Sequence, residues 1–191
     1  MATKIILIRH GQTDYTIQKK YCGSTDIDLN EEGRRQAEKL SKELNAKDIS
    51  KVYSSDSQRS FNFAKIVFKD TPVEKTPDLQ EMNFGVFEGL TYGEIMKKYS
   101  DVYQKWLNNP CDITIPGGES LNEMAKRVRR TLTRILSVNK DKTVAIVTHG
   151  GPIKTILCNV LNLSLDQIWQ IEPALGSVRE IEFDKGVGKI I

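Results

Sequence analysis

The chain contains only two histidines, and both occupy the same local setting. Arg9-His10-Gly11 follows the aliphatic run Lys4-Ile-Ile-Leu-Ile8, and His149-Gly150-Gly151 follows Thr143-Val-Ala-Ile-Val-Thr148. In open parallel sheets, ligand sites lie just beyond the carboxyl ends of the strands, so two strands ending this way would bring the imidazoles to one edge. A glycine after each histidine lets the backbone approach an anion closely and take unusual φ angles. Gly150-Gly151-Pro152 would also leave helix-start N–H groups free to point at a negative ligand. The stretch Ser54-Ser55-Asp56-Ser57-Gln58-Arg59 brings a second guanidinium beside that of Arg9. Two planar donor forks suit the equatorial oxygens of a phosphoryl group. Leu79-Gln80-Glu81-Met82-Asn83-Phe84-Gly85 places a carboxylate among apolar neighbours. Such a setting would raise its pKa and let it hold a proton for a leaving oxygen.

Taken singly, each residue has a plainer reading. A histidine after a strand is usually structural, an arginine usually a surface charge, and Glu81 alone reads best as a salt-bridge partner. Two histidines also raise zinc, but no third ligand stands out, and there is no Cys-x-x-Cys or His-x-x-x-His pair. The weight lies in the combination.

The elements that must position these residues read as an α/β domain. The runs at 4–8 and 143–148 are short and unbroken, as expected of strands buried on both faces. Asn30 before Glu31 and Glu32 starts a helix in which Ala37, Leu40 and Leu44 recur at 3- and 4-residue spacing. Thr91-Tyr-Gly-Glu94 and Ser120-Leu-Asn-Glu123 have capping-box form, the second opening a long helix toward Leu136. Pro152 suits a helix's first turn. Short strands are predicted at 51–54, at 178–183 and at the C-terminus. These elements predict one domain over 1–191, a three-layer α/β/α sandwich with a mainly parallel central sheet.

Composition sets the class. The 191 residues are 39% hydrophobic and 28% charged, with net charge +3, the balance of a folded domain. The lysine and arginine doublets Lys19–Lys20 and Arg129–Arg130 read as solvated faces and loops, not a basic stripe, so no nucleic-acid partner is expected. The leading apolar run is too short for a signal peptide or membrane span. With three cysteines, Cys22, Cys111 and Cys158, in no paired spacing, the expectation is a reducing cytoplasmic setting, no membrane partner, and Cys158 in the core. A homodimer stays open.

The combined motifs resemble the histidine phosphatase superfamily, which contains cofactor-dependent phosphoglycerate mutases and many small phosphatases. Arg9-His10-Gly11-Gln12-Thr13 is similar to its signature. Gly23, Asp26, Leu29, Gly33 and Gln36-Ala37 match its first loop and helix, and Ser54, Ser55 and Arg59 its second arginine motif. Leu79, Glu81, Phe84-Gly85 and Glu88-Gly89 match its acid/base segment, and Pro116-Gly-Gly-Glu-Ser120 and His149-Gly150-Gly151 complete the set. The resemblance implies His10 as nucleophile and Glu81 as general acid, then general base. It implies Arg9, Arg59 and His149 as holders of the phosphoryl group, with Gly150 backbone and Thr16 assisting, and no metal or other cofactor. Neutral imidazole is a good nucleophile near pH 7. Covalent capture splits one hard displacement into two easier ones.

The chain departs from the family at Thr16, where asparagine is common and reaches further, at Ser57 and Phe63, which bear on packing, and at Leu175, where relatives carry a polar residue. The segment from Glu81 to Gly117 is short, which resembles the phosphatase branch, including α-ribazole phosphatases and metal-independent phosphoserine phosphatases. Two short helices around 91–109 would carry Tyr99, Tyr103, Trp106 and Leu107, either as a substrate lid or as simple packing on the domain. Lys97, Lys98 and Lys105 could attract an acidic substrate, although lysines on helices usually face solvent. A phosphatase acting on a small phosphomonoester comes first. A phosphoglycerate mutase comes second, and an inactive relative binding phospho-ligands or a protein third, against which the intact set of five residues argues.

Overall fold

The computed structural model describes residues 2–44 and 48–191. The two aliphatic runs form neighbouring parallel strands, β1 (Thr3–Arg9) and β4 (Thr143–Thr148), paired in register from Lys4 with Thr143 to Arg9 with Thr148. With β2 (Ile49–Ser54), β3 (Val73–Lys75), β5 (Val178–Asp184) and β6 (Val187–Ile190) they make one sheet in the order β3-β2-β4-β1-β5-β6. The first three pairings along that order are parallel, and β5 and β6 join antiparallel.

Alternation along the strands divides the interior in two. Ile5, Leu7, Val144 and Ile146 face a layer made by α4 (Tyr92–Lys98), α5 (Ser100–Asn108), α6 (Leu121–Val138) and α7 (Gly150–Val160). Ile6, Ile8, Ala145 and Val147 face the opposite layer, α2 (Glu31–Glu43) and α3 (Gln58–Val67). The three-layer α/β/α arrangement with a mainly parallel sheet is the one the sequence predicts.

Caps fall where the sequence places them. Asn30 accepts from the Gly33 N–H at 2.9 Å, and Thr91/Glu94 and Ser120/Glu123 form reciprocal capping boxes. The short β3, Val-Glu-Lys, carries no alternation that sequence reading could use, and β2 starts two residues before the predicted 51. A single-turn helix, α1 (Asp14–Ile17), sits between β1 and α2.

This topology makes the site. The connection leaving β1 runs to the α2/α3 layer, whereas that leaving β4 runs directly into α7 on the other side. Adjacent parallel strands whose connections part to opposite faces open a crevice at their carboxyl ends.

Candidate active site

His10 and His149 are the first residues past β1 and β4, and the in-register pairing of Arg9 with Thr148 sets them side by side. Their ring centroids lie 5.0 Å apart, edge to face. His10 Nδ1 is 2.8 Å from the carbonyl oxygen of Gly11. A carbonyl can only accept, so Nδ1 carries the hydrogen and Nε2 keeps its lone pair. Burial, then the neighbouring Arg59, with a smaller push from Arg9, lowers the His10 pKa to about 3 against the Gly11 hydrogen bond. The ring is therefore neutral, with one defined tautomer, at ordinary pH. It lines a cavity of about 460 Å³ together with Arg9, Arg59, Glu81, Thr16 and Leu175.

His149 is fully buried and lies behind that cavity rather than on its wall. Its Nε2 is within 2.9 Å of Ser55 Oγ and 3.2 Å of both Ser57 Oγ and Ser60 Oγ. Its Nδ1 accepts from Arg59 Nε at 3.3 Å, so the ring is neutral and donates from Nε2 to the serines. Burial, then Arg59, holds its pKa well below the usual histidine value. Ser57 therefore does not cap α3 with its side chain, and Asp26 takes that role, accepting from the Gln58 N–H at 2.7 Å.

Arg59 is almost completely buried. Besides His149 it donates to the carbonyls of Thr25 and Gly23, each at 2.8 Å, and so ties the loop after α1 to the sheet edge. Arg9 donates to Pro173 O at 2.6 Å, while its buried Nε has no hydrogen-bond partner. Burial lowers the Arg9 pKa and Glu81 opposes the shift. Thr16 reaches the cavity, but its hydroxyl donates to Thr13 O at 2.7 Å and accepts from the Thr13 N–H as part of the α1 capping box.

Glu81 is not in the apolar setting that its sequence neighbours suggest. Its carboxylate rests on the start of α7, where the Gly151 N–H lies 3.1 Å from both oxygens, and it also accepts from the Met82 N–H at 2.9 Å. A Cβ on Gly151 would fall 2.3 Å from Glu81 Oε1, so glycine is what lets the carboxylate close on the helix. The expectation of unusual φ at the glycines that follow the histidines is corrected. Gly11, Gly150 and Gly151 all have ordinary φ, and Gly11 is needed because a Cβ there would meet Gly33 O at 2.7 Å.

Residues 5–191 match the profile of the histidine phosphatase superfamily (branch 1). The chain belongs to this superfamily. It is 36% identical over 158 residues to phosphoglycerate mutase-like protein 4 of Arabidopsis thaliana, covering 80% of this chain and 69% of that one. It is 30% identical over 168 residues to phosphoserine phosphatase 1 of Hydrogenobacter thermophilus, covering 87% and 80%. The crystal structure of the alpha-ribazole phosphatase from Shigella flexneri superposes with a TM-score of 0.90 at 25% identity, covering 98% of this chain and 94% of that one.

Of the residues singled out in the sequence, Arg9, His10, Thr16, Arg59 and Glu81 line one crevice, with His149 behind it, but several positioning groups escaped sequence reasoning. Glu88 accepts from the backbone N–H groups of Gly23, Ser24, Thr25 and Phe84, and so holds the loop that Arg59 also grips. Arg127, on α6, donates to the carbonyls of Asp78, Gln80 and Glu81 and pairs with Glu119, which accepts from the Asn83 N–H. The family matches at Glu88 and Glu119 were the available signal for two of these, whereas Arg127 is one of several basic residues on a long helix. Lys19 and Lys20, read as a solvated doublet, line the His10 cavity, and so does Leu175. Lys97, Lys98 and Lys105 are exposed on their helices, away from it.

Tyr103 and Trp106 pack inside the larger core with Phe87 and Ile95, and Leu107 is exposed; none of the three lines the His10 cavity. Tyr103 reaches it only through a hydroxyl contact of 2.9 Å with Tyr21. Cys158 is buried as expected, and none of the three cysteines is paired. Among the described residues no cluster of histidine, cysteine or acidic side chains is arranged to hold a metal ion, and no helix is long and apolar enough to cross a membrane. A cavity of about 770 Å³ lies at the opposite end of the sheet, between α6, the start of β1 and the end of β5, far from both histidines.

Proposed function

We propose that this chain hydrolyses a small phosphomonoester in two steps through a phosphohistidine on His10. The observation that carries the reading is the state of His10: neutral, with Nδ1–H fixed by Gly11 O and a bare Nε2 in a cavity shared with Arg9, Arg59 and Glu81. In the first step Nε2 attacks phosphorus, the bond from phosphorus to the ester oxygen breaks, and Glu81 gives that oxygen its proton, releasing an alcohol. The hydrogen bond to Gly11 O stabilises the positive charge that the ring gains, and the two guanidinium groups offset charge on the equatorial oxygens. In the second step Glu81 takes a proton from water as the water oxygen attacks phosphorus. The N–P bond breaks, and inorganic phosphate leaves. His149 acts from behind, by holding Arg59 in place. Each step balances with this chain's own groups and calls on no metal, and we take the setting to be reducing and cytoplasmic.

Brief incubation with a labelled phosphomonoester is expected to give protein-bound phosphate that is acid-labile and base-stable. His10→Ala is expected to abolish both label and turnover, whereas label retained in that variant would remove His10 from the role. Glu81→Gln should cost about 10²–10⁴-fold in kcat for an alkyl ester and much less for an activated aryl ester. EDTA should leave turnover intact.

The 36% identity to a relative named as mutase-like keeps a second reading open. Isolated phosphoenzyme that decays as fast as kcat, with matching phosphate release, supports hydrolysis. Conversion of 3-phosphoglycerate to 2-phosphoglycerate without phosphate release supports a mutase.

A further inference from the structure

An in-line displacement at phosphorus puts the leaving oxygen opposite His10 Nε2 and within reach of Glu81. The rest of the leaving group must then extend away from His10 on the Glu81 side. A second cavity of about 510 Å³ lies there: it shares Arg9, Glu81 and Phe84 with the first, and neither His10 nor Arg59 lines it. Its walls are largely apolar, with Phe84, Met124, Ile168 and Trp169 prominent, and Trp169 remains about half exposed at the rim. This space is far more than a three-carbon alcohol would fill; cavities of this size hold ligands with substantial apolar bodies.

Apart from Arg9 and Glu81, the charged groups lining this cavity are Lys154 and the exposed Glu172. Lys154 sits one turn into α7, past Gly150 and Gly151, and helical side chains lean toward the N-terminus, here toward the reacting centre. Its ammonium lies 5.3 Å from the centre of the Trp169 ring. It is half-buried and makes no hydrogen bond or ion pair among the described residues. Burial lowers its pKa, with Glu81 and Glu172 opposing the shift. A partly desolvated cation that has a ring face beside it but no hydrogen bond or ion pair gains more from an incoming anion than an exposed one does. Lys19, on the rim of the other cavity, is exposed, and Lys20 lies over the Tyr15 ring. Arg9 and Lys154 offset Glu81 and Glu172 in this lining, and with Arg9 on the transferred phosphoryl group Lys154 is left to match the single charge of a carboxylate rather than the two of a second phosphoryl group.

We propose that Lys154 and Trp169 form a leaving-group subsite that selects phosphomonoesters of a flat, apolar-bodied alcohol carrying one carboxylate. The carboxylate pairs with Lys154, and the body lies against Trp169 and Phe84. The assignment rests on the hydrolytic reading above in placing the leaving oxygen beside Glu81.

The test uses phosphonates, which bind without turning over. Calorimetry would compare phenylphosphonate, 3-carboxyphenylphosphonate and 3-phosphonopropionate. The carboxyphenyl compound is expected to bind about tenfold more tightly than either of the others. Lys154→Met should remove its advantage over phenylphosphonate, Lys154→Arg should keep it, and Trp169→Ala should remove its advantage over the three-carbon compound. Equal binding of the two aryl phosphonates, or a preference that survives Lys154→Met, overturns the proposal. Turnover of the corresponding phosphate esters is measured separately: its absence would count against hydrolysis and leave the subsite result standing.

Discussion

At the scale of single residues, both histidines are buried and both are held neutral, and this has a consequence for stability as well as for nucleophilicity. In the unfolded chain each imidazole takes up a proton near pH 6.5, while in the folded protein His10 does so only near 3 and His149 also well below the ordinary value. Between these limits the unfolded state binds more protons, so stability is greatest above pH 6.5 and is lost as pH falls. Each histidine contributes a slope of up to about 1.4 kcal/mol per pH unit in that window. Urea unfolding at pH 7, 6 and 5 should show this decline, and His10→Gln should make it shallower by about the contribution of one histidine. An unchanged slope in the variant would mean that His10 is not held neutral by the fold. The two histidines stood out in the sequence because they are rare and follow aliphatic runs. Their tautomers did not, because these depend on Gly11 O and on Arg59, partners that only the folded crevice supplies.

At the scale of elements, the segment bearing Glu81 is a loop with little regular structure, cross-tied by α6. Arg127 meets three consecutive-region carbonyls and the Glu119 carboxylate with one planar fork, which fixes where the Glu81 carboxylate can lie against Gly151. Arg127→Met should lower kcat for an alkyl phosphate by about 10–100-fold, the loss expected from one or two such charge-assisted bonds. An activated aryl phosphate, which needs little protonation, should lose much less, and Arg127→Lys should not restore the alkyl rate, since an ammonium cannot span the same acceptors. Equal losses for both esters would indicate a general structural role. Sequence reading recovers α2, α4 and α6 through their caps and periodicity and recovers β1 and β4 through their aliphatic runs. It misses β3, three residues held by pairing with β2, and it misses Arg127, because the carbonyls that give that residue meaning lie about 46 to 49 positions away.

At the scale of the whole molecule, the layering decides whether residues 91–109 can behave as a lid. The large core runs without a break from Ile5, Leu7 and Ile146 in the sheet through Phe87 and Ile95 to Tyr103 and Trp106. Phe87 stands at the centre of an aromatic group, edge to face with Tyr21, Tyr103 and Trp106. Swinging α4 and α5 away would bring Phe87, Ile95, Tyr103 and Trp106 into water. At about 1.5–3 kcal/mol for each buried side chain, that motion would cost roughly 6–12 kcal/mol, comparable with the stability of an entire domain. The pair of helices is therefore expected to stay fixed on the core behind Tyr21, and access to His10 to depend on the loop gripped by Arg59 and Glu88. Native-state hydrogen exchange with and without orthovanadate is the check. Amides of 95–106 should exchange nearly as slowly as those of α6 and change little when vanadate binds, while those of 19–25 should gain protection. Fast exchange across 95–106 that vanadate suppresses would show instead that the two helices open and close over the site.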